Sequence, residues 1–189
     1  MITDQLLESI NETIGRLDID KEEFSSCFQL KNVKKGENIL RMNQMCSKYY
    51  FVNNGAFRIY FLKDGNQFTH WFAFERVLFT ELESYNLKQP SAYCIEAIED
   101  SEILTISRSK MEELLLKYPL WQEFLRKNWE YAFIKVSKVI ASFQSKSAKE
   151  RYDELFEYSE ILQRTTQRDL SSMLGITQYS LSRIRKERN

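Results

Sequence analysis

Apolar residues recur at every fourth position at the start of the chain, at Ile2, Leu6, Ile10 and Ile14. This spacing predicts an amphipathic helix with Thr3 or Asp4 as its cap. Asp20, followed by Glu22 and Glu23, predicts a second, short helix ending near Phe28. From Val33 to Ser107 the period falls to two, in short runs of Phe, Tyr, Val and Ile broken by turn residues. Lys35-Gly36-Glu37, Asn53-Asn54-Gly55 and Lys63-Asp64-Gly65-Asn66 are the turn signals, the last with the form of a hairpin loop. Phe57, Ile59 and Phe61 alternate with Arg58 and Tyr60, as in a half-buried strand. Phe68, His70, Phe72 and Phe74 fall on one face of the next. Cys94–Ile98 and Glu102–Ser107 read as a further pair turning at Glu99-Asp100-Ser101. Many short strands with regular turns predict a barrel, sandwich or jelly roll.

After Ser107 the helical period returns. Ser109 to Tyr118 predicts a short helix stopped before Pro119, and a long helix follows from about Leu120 to Phe143. Its Leu125, Trp129, Ala132, Val136, Val139 and Phe143 are spaced alternately by four and three, a heptad seam suited to a second copy of the chain. The alternative is that the stripe packs only on the chain's own β-domain. Polar Gln144–Ser147 reads as a hinge, and Ala148–Tyr158 as helix again. Leu170, Met173 and Leu174 then give a small apolar face, Gly175 allows a sharp turn, and Thr177 can cap a last helix from Gln178 to about Lys186. In that helix Leu181 and Ile184 point inward, which leaves Gln178, Tyr179, Ser182, Arg183 and Lys186 outside. Two short helices meeting at a glycine, the second basic, have the layout of a DNA-reading helix-turn-helix.

Composition adds limits. The chain has 189 residues, 43% of them hydrophobic and 29% charged, enough for one large domain or two modest ones. Aromatics gather between Tyr49 and Phe79, so the β-region has either a bulky core or an aromatic-lined pocket. The formal net charge is zero, but it is unevenly spread. Residues 1–30 carry seven acids against Arg16 and Lys21, a net of −5, whereas residues 164–189 carry six bases against Asp169 and Glu187, a net of +4. A basic end is a local footprint for phosphate. Cys27, Cys46 and Cys94 are odd in number and form no CxxC pair, so reduced thiols of a cytoplasmic protein are expected rather than a zinc or iron–sulfur site. Neither a leader nor a membrane span is read in the chain. His70 is the sole histidine, which weighs against a haem ligand and against a jelly-roll metalloenzyme. No nucleophile-and-base or phosphate-loop constellation is present, so neither an enzyme nor a cofactor is expected.

The order of β-roll, long helix and terminal helix pair resembles the Crp/Fnr family of bacterial transcription regulators. The resembling pieces are Val33–Glu37, Tyr50–Gly55, Phe79–Leu82, Pro90–Ala92, Glu96–Leu104, Lys149–Tyr152, Leu174-Gly175-Ile176-Thr177 and Leu181-Ser182-Arg183-Ile184, the last two being the most specific. The resemblance implies an α+β chain in three parts. Residues 1–118 would be a double-stranded β-helix (jelly-roll-like) sensor related to cyclic-nucleotide-binding domains, 119–143 a dimerisation helix, and 144–189 a helix-turn-helix DNA-binding domain. It implies double-stranded DNA, a second copy of the chain, a small-molecule effector and RNA polymerase as partners, with no membrane. By position Gln178, Tyr179, Ser182 and Arg183 would read bases, with Arg185, Lys186 and Arg188 on phosphate. The family often has a glutamate where Tyr179 stands, so its usual target sequence is not implied. Tyr158–Gln167 is also short for the family's wing hairpin.

The same resemblance places an effector at Thr80, Glu81, Leu82, Ser91 and Tyr93. Cyclic-nucleotide-binding relatives hold the ribose with Gly-Glu-Leu and the phosphate with Arg-Ser; this chain has Thr80-Glu81-Leu82 and Pro90-Ser91. Loss of a charge-assisted contact of that kind typically removes about 2–5 kcal/mol. An effector other than cyclic AMP is therefore expected. Trp71, Phe72, Phe74, Phe79, Tyr85 and Tyr93 either line a site for a flat apolar ligand or simply fill the roll. The competing functional reading is a ligand- or protein-binding sensor or scaffold whose C-terminal helices serve only for packing and bind no DNA.

Overall fold

The computed structural model describes residues 1–15 and 19–188, the side chain of Arg188 excepted. Arg16 and Asp18 of the acidic N-terminal stretch, and the phosphate contact expected of Arg188, lie outside the described residues. Helix α1 (Asp4–Ile14) buries Leu6, Leu7 and Ile10; helix α2 (Lys21–Ser26) is capped by Asp20, whose carboxylate accepts the amides of Glu22 and Glu23. Thr3 occupies the α1 cap position without a side-chain cap bond.

Eight strands follow: β1 (Gln29–Val33), β2 (Asn38–Leu40), β3 (Lys48–Asn54), β4 (Phe57–Lys63), β5 (Asn66–Ala73), β6 (Leu78–Phe79), β7 (Tyr93–Ala97) and β8 (Ser101–Ser107), with helix α3 (Leu82–Leu87) between β6 and β7. They form two antiparallel four-stranded sheets, ordered β1-β8-β3-β6 and β2-β7-β4-β5. This is the expected jelly-roll-like β-roll. The β4–β5 hairpin closes at Asp64-Gly65, both at positive φ, as a two-residue turn of this chemistry requires. The other expected pair is corrected: β7 and β8 are consecutive but belong to different sheets, so Glu99-Asp100-Ser101 carries the chain across the roll. Gly55 makes a similar crossing between β3 and β4, at φ 94°, where a Cβ would meet Ser101 Oγ at 2.2 Å.

Two strand faces also differ from the alternation. Ile59 pairs with Trp71 but Tyr60 pairs with Thr69, so His70 is an extra residue in β5. This bulge reverses the facing of the rest of the strand. Trp71 and Ala73 join the core inside the roll, while Phe72 and Phe74 turn outward. Phe68, His70, Phe72 and Phe74 therefore do not share a face. On β4, Arg58 and Tyr60 are as buried as their neighbours, because Asp169 covers Arg58 and the Arg58 guanidinium lies over the Tyr60 ring.

Helix α4 (Arg108–Lys117) ends before Pro119, which opens the 27-residue helix α5 (Pro119–Ser145). The α5 stripe divides along its length. Leu125 is buried in the roll's core and Trp129 packs against it, 6.2 Å from the Tyr49 ring, whereas Val136, Val139 and Phe143 are exposed. The helix breaks at Lys146, and Ser147 starts α6 (Ala148–Glu154) through a reciprocal capping box with Glu150. The expected helix to Tyr158 ends instead in a turn of 3-10 helix (Leu155–Glu157), followed by α7 (Ser159–Arg164). Helices α8 (Gln167–Met173) and α9 (Gln178–Arg188) complete the chain. None of the described helices is long and apolar enough to cross a membrane.

Candidate nucleic-acid interface and sensor pocket

The α8–α9 pair is built from three local devices. Thr166 caps α8 by accepting the Asp169 amide at 3.1 Å. At the far end the Ile176 amide donates to Ser171 O and the Gly175 amide to Ser172 O, a Schellman closure that needs Gly175 at φ 68°. Thr177 then accepts the Ser180 amide at 3.0 Å and starts α9. An added Cβ at Gly175 would have room, with Phe143 Cε1 its nearest contact at 3.5 Å, so the backbone angle is the constraint. Gly175→Ala is expected to lower stability by about 1–2 kcal/mol, measurable by thermal denaturation.

Leu170, Leu174, Leu181, Ile184 and Tyr152 form a small core of their own. With Leu181 and Ile184 held inside, α9 leaves Gln178, Tyr179, Arg183 and Lys186 exposed and Ser182 half-buried. Tyr179 is 79% exposed, unusually open for a large ring. Among the described residues Arg183 is tethered by an exposed pair with Glu187 at 3.7 Å, worth little in water. Arg185 differs from this row: its Nε donates to Tyr152 Oη at 3.2 Å, which turns it toward α6. The open row offers an amide, a phenol, a guanidinium and an ammonium, groups able to meet base edges and phosphates.

The segment from Thr80 to Tyr93 is satisfied internally. Thr80 is buried, and its hydroxyl donates to Lys48 O at 2.8 Å. Glu81 is 8% exposed, and its carboxylate accepts the amides of Glu83 and Ser84 as the cap of α3. Leu82, beside it, is exposed. Ser84 receives the Cys46 amide and donates to Gln89 O, stapling α3 to the loop before β3. Ser91 accepts the Tyr93 amide and donates to Tyr93 O. Ser91 and Tyr93 meet at a shallow depression of about 470 Å³, shared with Met42, Asn43, Phe61, Leu62, Pro90 and Ala92. Thr80, Glu81 and Leu82 do not line it. Burial, then the nearby Glu81 and Glu83, push the Tyr93 phenol up from its ordinary pKa. Desolvation pushes His70 down, with its ring 5.0 Å from Tyr93. Arg76 is committed to Ser9 and Glu12 of α1.

Of the other aromatics, Phe79 and Tyr85 are buried in the core and Trp71 packs against it, while Phe72 and Phe74 belong to the outward cluster with Ile161 and Met173. Arg58, Asp169 and Ser172, which no sequence motif marks, meet between the roll and α8. The available signal was a lone arginine among the aromatics and aliphatics of β4.

Residues 30–118 match the family model of the cyclic nucleotide-binding domain. No curated protein matches the chain in sequence. Among solved structures the fold is similar to a mutant of CooA from Carboxydothermus hydrogenoformans, with TM-score 0.75 and 15% identity over 96% of this chain and 83% of that one. It is similar to the c-di-GMP-responsive global regulator CLP of Xanthomonas campestris, with TM-score 0.70 and 12% identity over 88% of each chain. A proposed transcriptional regulator of the crp/fnr family from Eubacterium rectale gives TM-score 0.68 and 20% identity over 88% of this chain and 82% of that one.

Proposed function

We propose that the protein is a homodimeric, sequence-specific DNA-binding transcription regulator of Crp/Fnr type, acting in the cytoplasm and controlled by an effector other than cyclic AMP. In this reading residues 1–118 sense, 119–143 dimerise and 144–189 read DNA. The observation that carries it is α9: one face is locked by Leu181 and Ile184, and the other presents Gln178, Tyr179, Arg183 and Lys186 to solvent. A helix so held can enter the major groove with Arg183 paired to a guanine edge and Lys186 on phosphate. Two copies joined along α5 would read half-sites about 34 Å apart. RNA polymerase would be the partner that turns binding into regulation.

Three features support a different effector. Pro90 brings no cation, Glu81 is spent on its own helix cap, and Ser91 closes on Tyr93. The apolar rim of the Ser91–Tyr93 depression suits a flat, weakly charged molecule. A structural neighbour that responds to c-di-GMP supports the view that this architecture serves ligands other than cyclic AMP.

Fluorescence anisotropy against genomic fragments next to the protein's own gene tests the reading. Binding should be sequence-selective and should weaken steeply as salt rises. Arg183→Ala should cost about 1–3 kcal/mol and relax selectivity at one base pair. Unchanged selectivity would remove Arg183 from base reading, and no binding at low salt would favour the scaffold reading.

A further inference from the structure

Arg58 is 5% exposed on the outer side of β4. Its guanidinium pairs with Asp169 of α8, with Glu96 of β7 at 3.0 Å and with the Gln67 side chain at 2.6 Å, above the Tyr60 ring. Beside it α8 caps the free edge of β5: the Thr69 amide donates to Ser172 Oγ at 2.9 Å, and that hydroxyl donates to Gln67 O at 3.3 Å. A second clamp lies at the end of α7. Arg164 binds Glu75 through two bonds of 2.7 and 2.8 Å and also holds Glu99, both on the roll. Burial opposes ionisation of Glu75, but bonds from Arg164 and the Gly55 amide outweigh it and hold the carboxyl below its ordinary range.

We propose that these contacts are a latch that holds the DNA-reading helices on their own sensor and restrains DNA binding. The proposal rests on the reading of α8 and α9 as a DNA reader. In a helix-turn-helix complex the first helix crosses the phosphate backbone. Here the first turn of that helix, with Asp169 at 9% exposure, faces the sensor, and Glu75, Glu96 and Glu99 lie alongside. Those carboxylates repel phosphate, and Arg164, one of the bases of the C-terminal end, is neutralised. The contact is also built to open. Buried ion pairs give orientation more than net stability. Among the described residues, Arg58 Nε and Thr69 Oγ1 are buried without a partner inside it. The helix break at Lys146–Ser147 supplies the hinge.

Two variants test the latch against the wild-type dimer. Arg58→Met removes the shared cation and leaves Asp169 and Glu96 facing each other. The double variant Glu75→Gln, Glu99→Gln empties the second clamp. Hydrogen exchange of the 66–73 segment reports docking without reference to DNA, and anisotropy on the same genomic fragment reports binding. Both variants should speed exchange there, and each should bind DNA tighter by roughly tenfold, since apparent affinity rises with the fraction of competent molecules. The charge changes run in opposite directions: Arg58→Met makes the protein more negative, so tighter binding by it cannot come from bulk electrostatics. Should Arg58→Met fail to fold, the double variant is compared with Glu8→Gln, Glu22→Gln, which makes the same charge change away from the latch. Unchanged exchange in the variants overturns the latch. Faster exchange with equal or weaker DNA binding overturns the restraint. Faster exchange with no DNA binding by any protein overturns the DNA-reader function, and the restraint with it.

Discussion

Trp121→Ala is expected to lower the unfolding free energy by about 3–5 kcal/mol, the range for a large aromatic removed from a close-packed core. Trp121 is wholly buried where α5 meets the N-terminal helices and the roll. Phe24 and Phe124 each lie 5.4 Å from it, ring centre to ring centre, and Phe28 lies at 6.3 Å. Its indole N–H points at Met111 Sδ at 3.3 Å, so α4 is tied in as well. Alanine would leave a cavity bordered by α2, α4, α5 and the Phe28 segment before β1, which cannot all close on it. Denaturant melts should show a lower midpoint, with the loss concentrated in the roll. A loss below about 1 kcal/mol would mean that the site collapses freely and that Trp121 is not the keystone its burial indicates.

Val136→Glu is expected to convert the proposed dimer to monomers. In a single chain the outer half of α5 exposes Phe133 at 73%, Val136, Val139 and Ile140 at 53% each, and Phe143 at 46%. A row of large apolar side chains at heptad spacing is costly to leave in water and is the pattern a partner helix covers. A glutamate in that seam would face its own copy across a two-fold axis, placing two carboxylates in a dry interface. Because Val136 makes no part of the roll's core, the monomer should keep its fold and its melting cooperativity. Sedimentation at micromolar concentration is the measurement, and an intact dimer would move the interface elsewhere. DNA affinity should fall together with dimerisation, since a monomer grips one half-site only.

The parts of the fold legible in the sequence are those whose signals are local. The helical spacing of α5, the Asp20 cap and the Gly175–Thr177 punctuation all lie within a few residues of what they control, and the helices form where these signals put them. Strand partnership is not of this kind. The residues between β7 and β8 announce that the chain reverses, but say nothing about which sheet it enters. The burial of Arg58 was hidden for a related reason, because its partner Asp169 is 111 positions away. In α9 the inward and outward sets are readable from a spacing of three. The turning of Arg185 onto Tyr152 needed the packing of α6, which no pattern within α9 records.

The extra residue at position 70 of β5 carries a further consequence. Phe72 and Phe74 face the C-terminal helices because His70 is left out of the pairing, so the residues after it alternate out of step with those before it. The attachment of the two halves of the molecule thus depends on register as well as on side chains. Deleting His70 would close the bulge and keep Phe72 and Phe74 on the helix side, whereas pairing His70 into the ladder would send them into an already filled interior and leave Trp71 and Ala73 facing the helices.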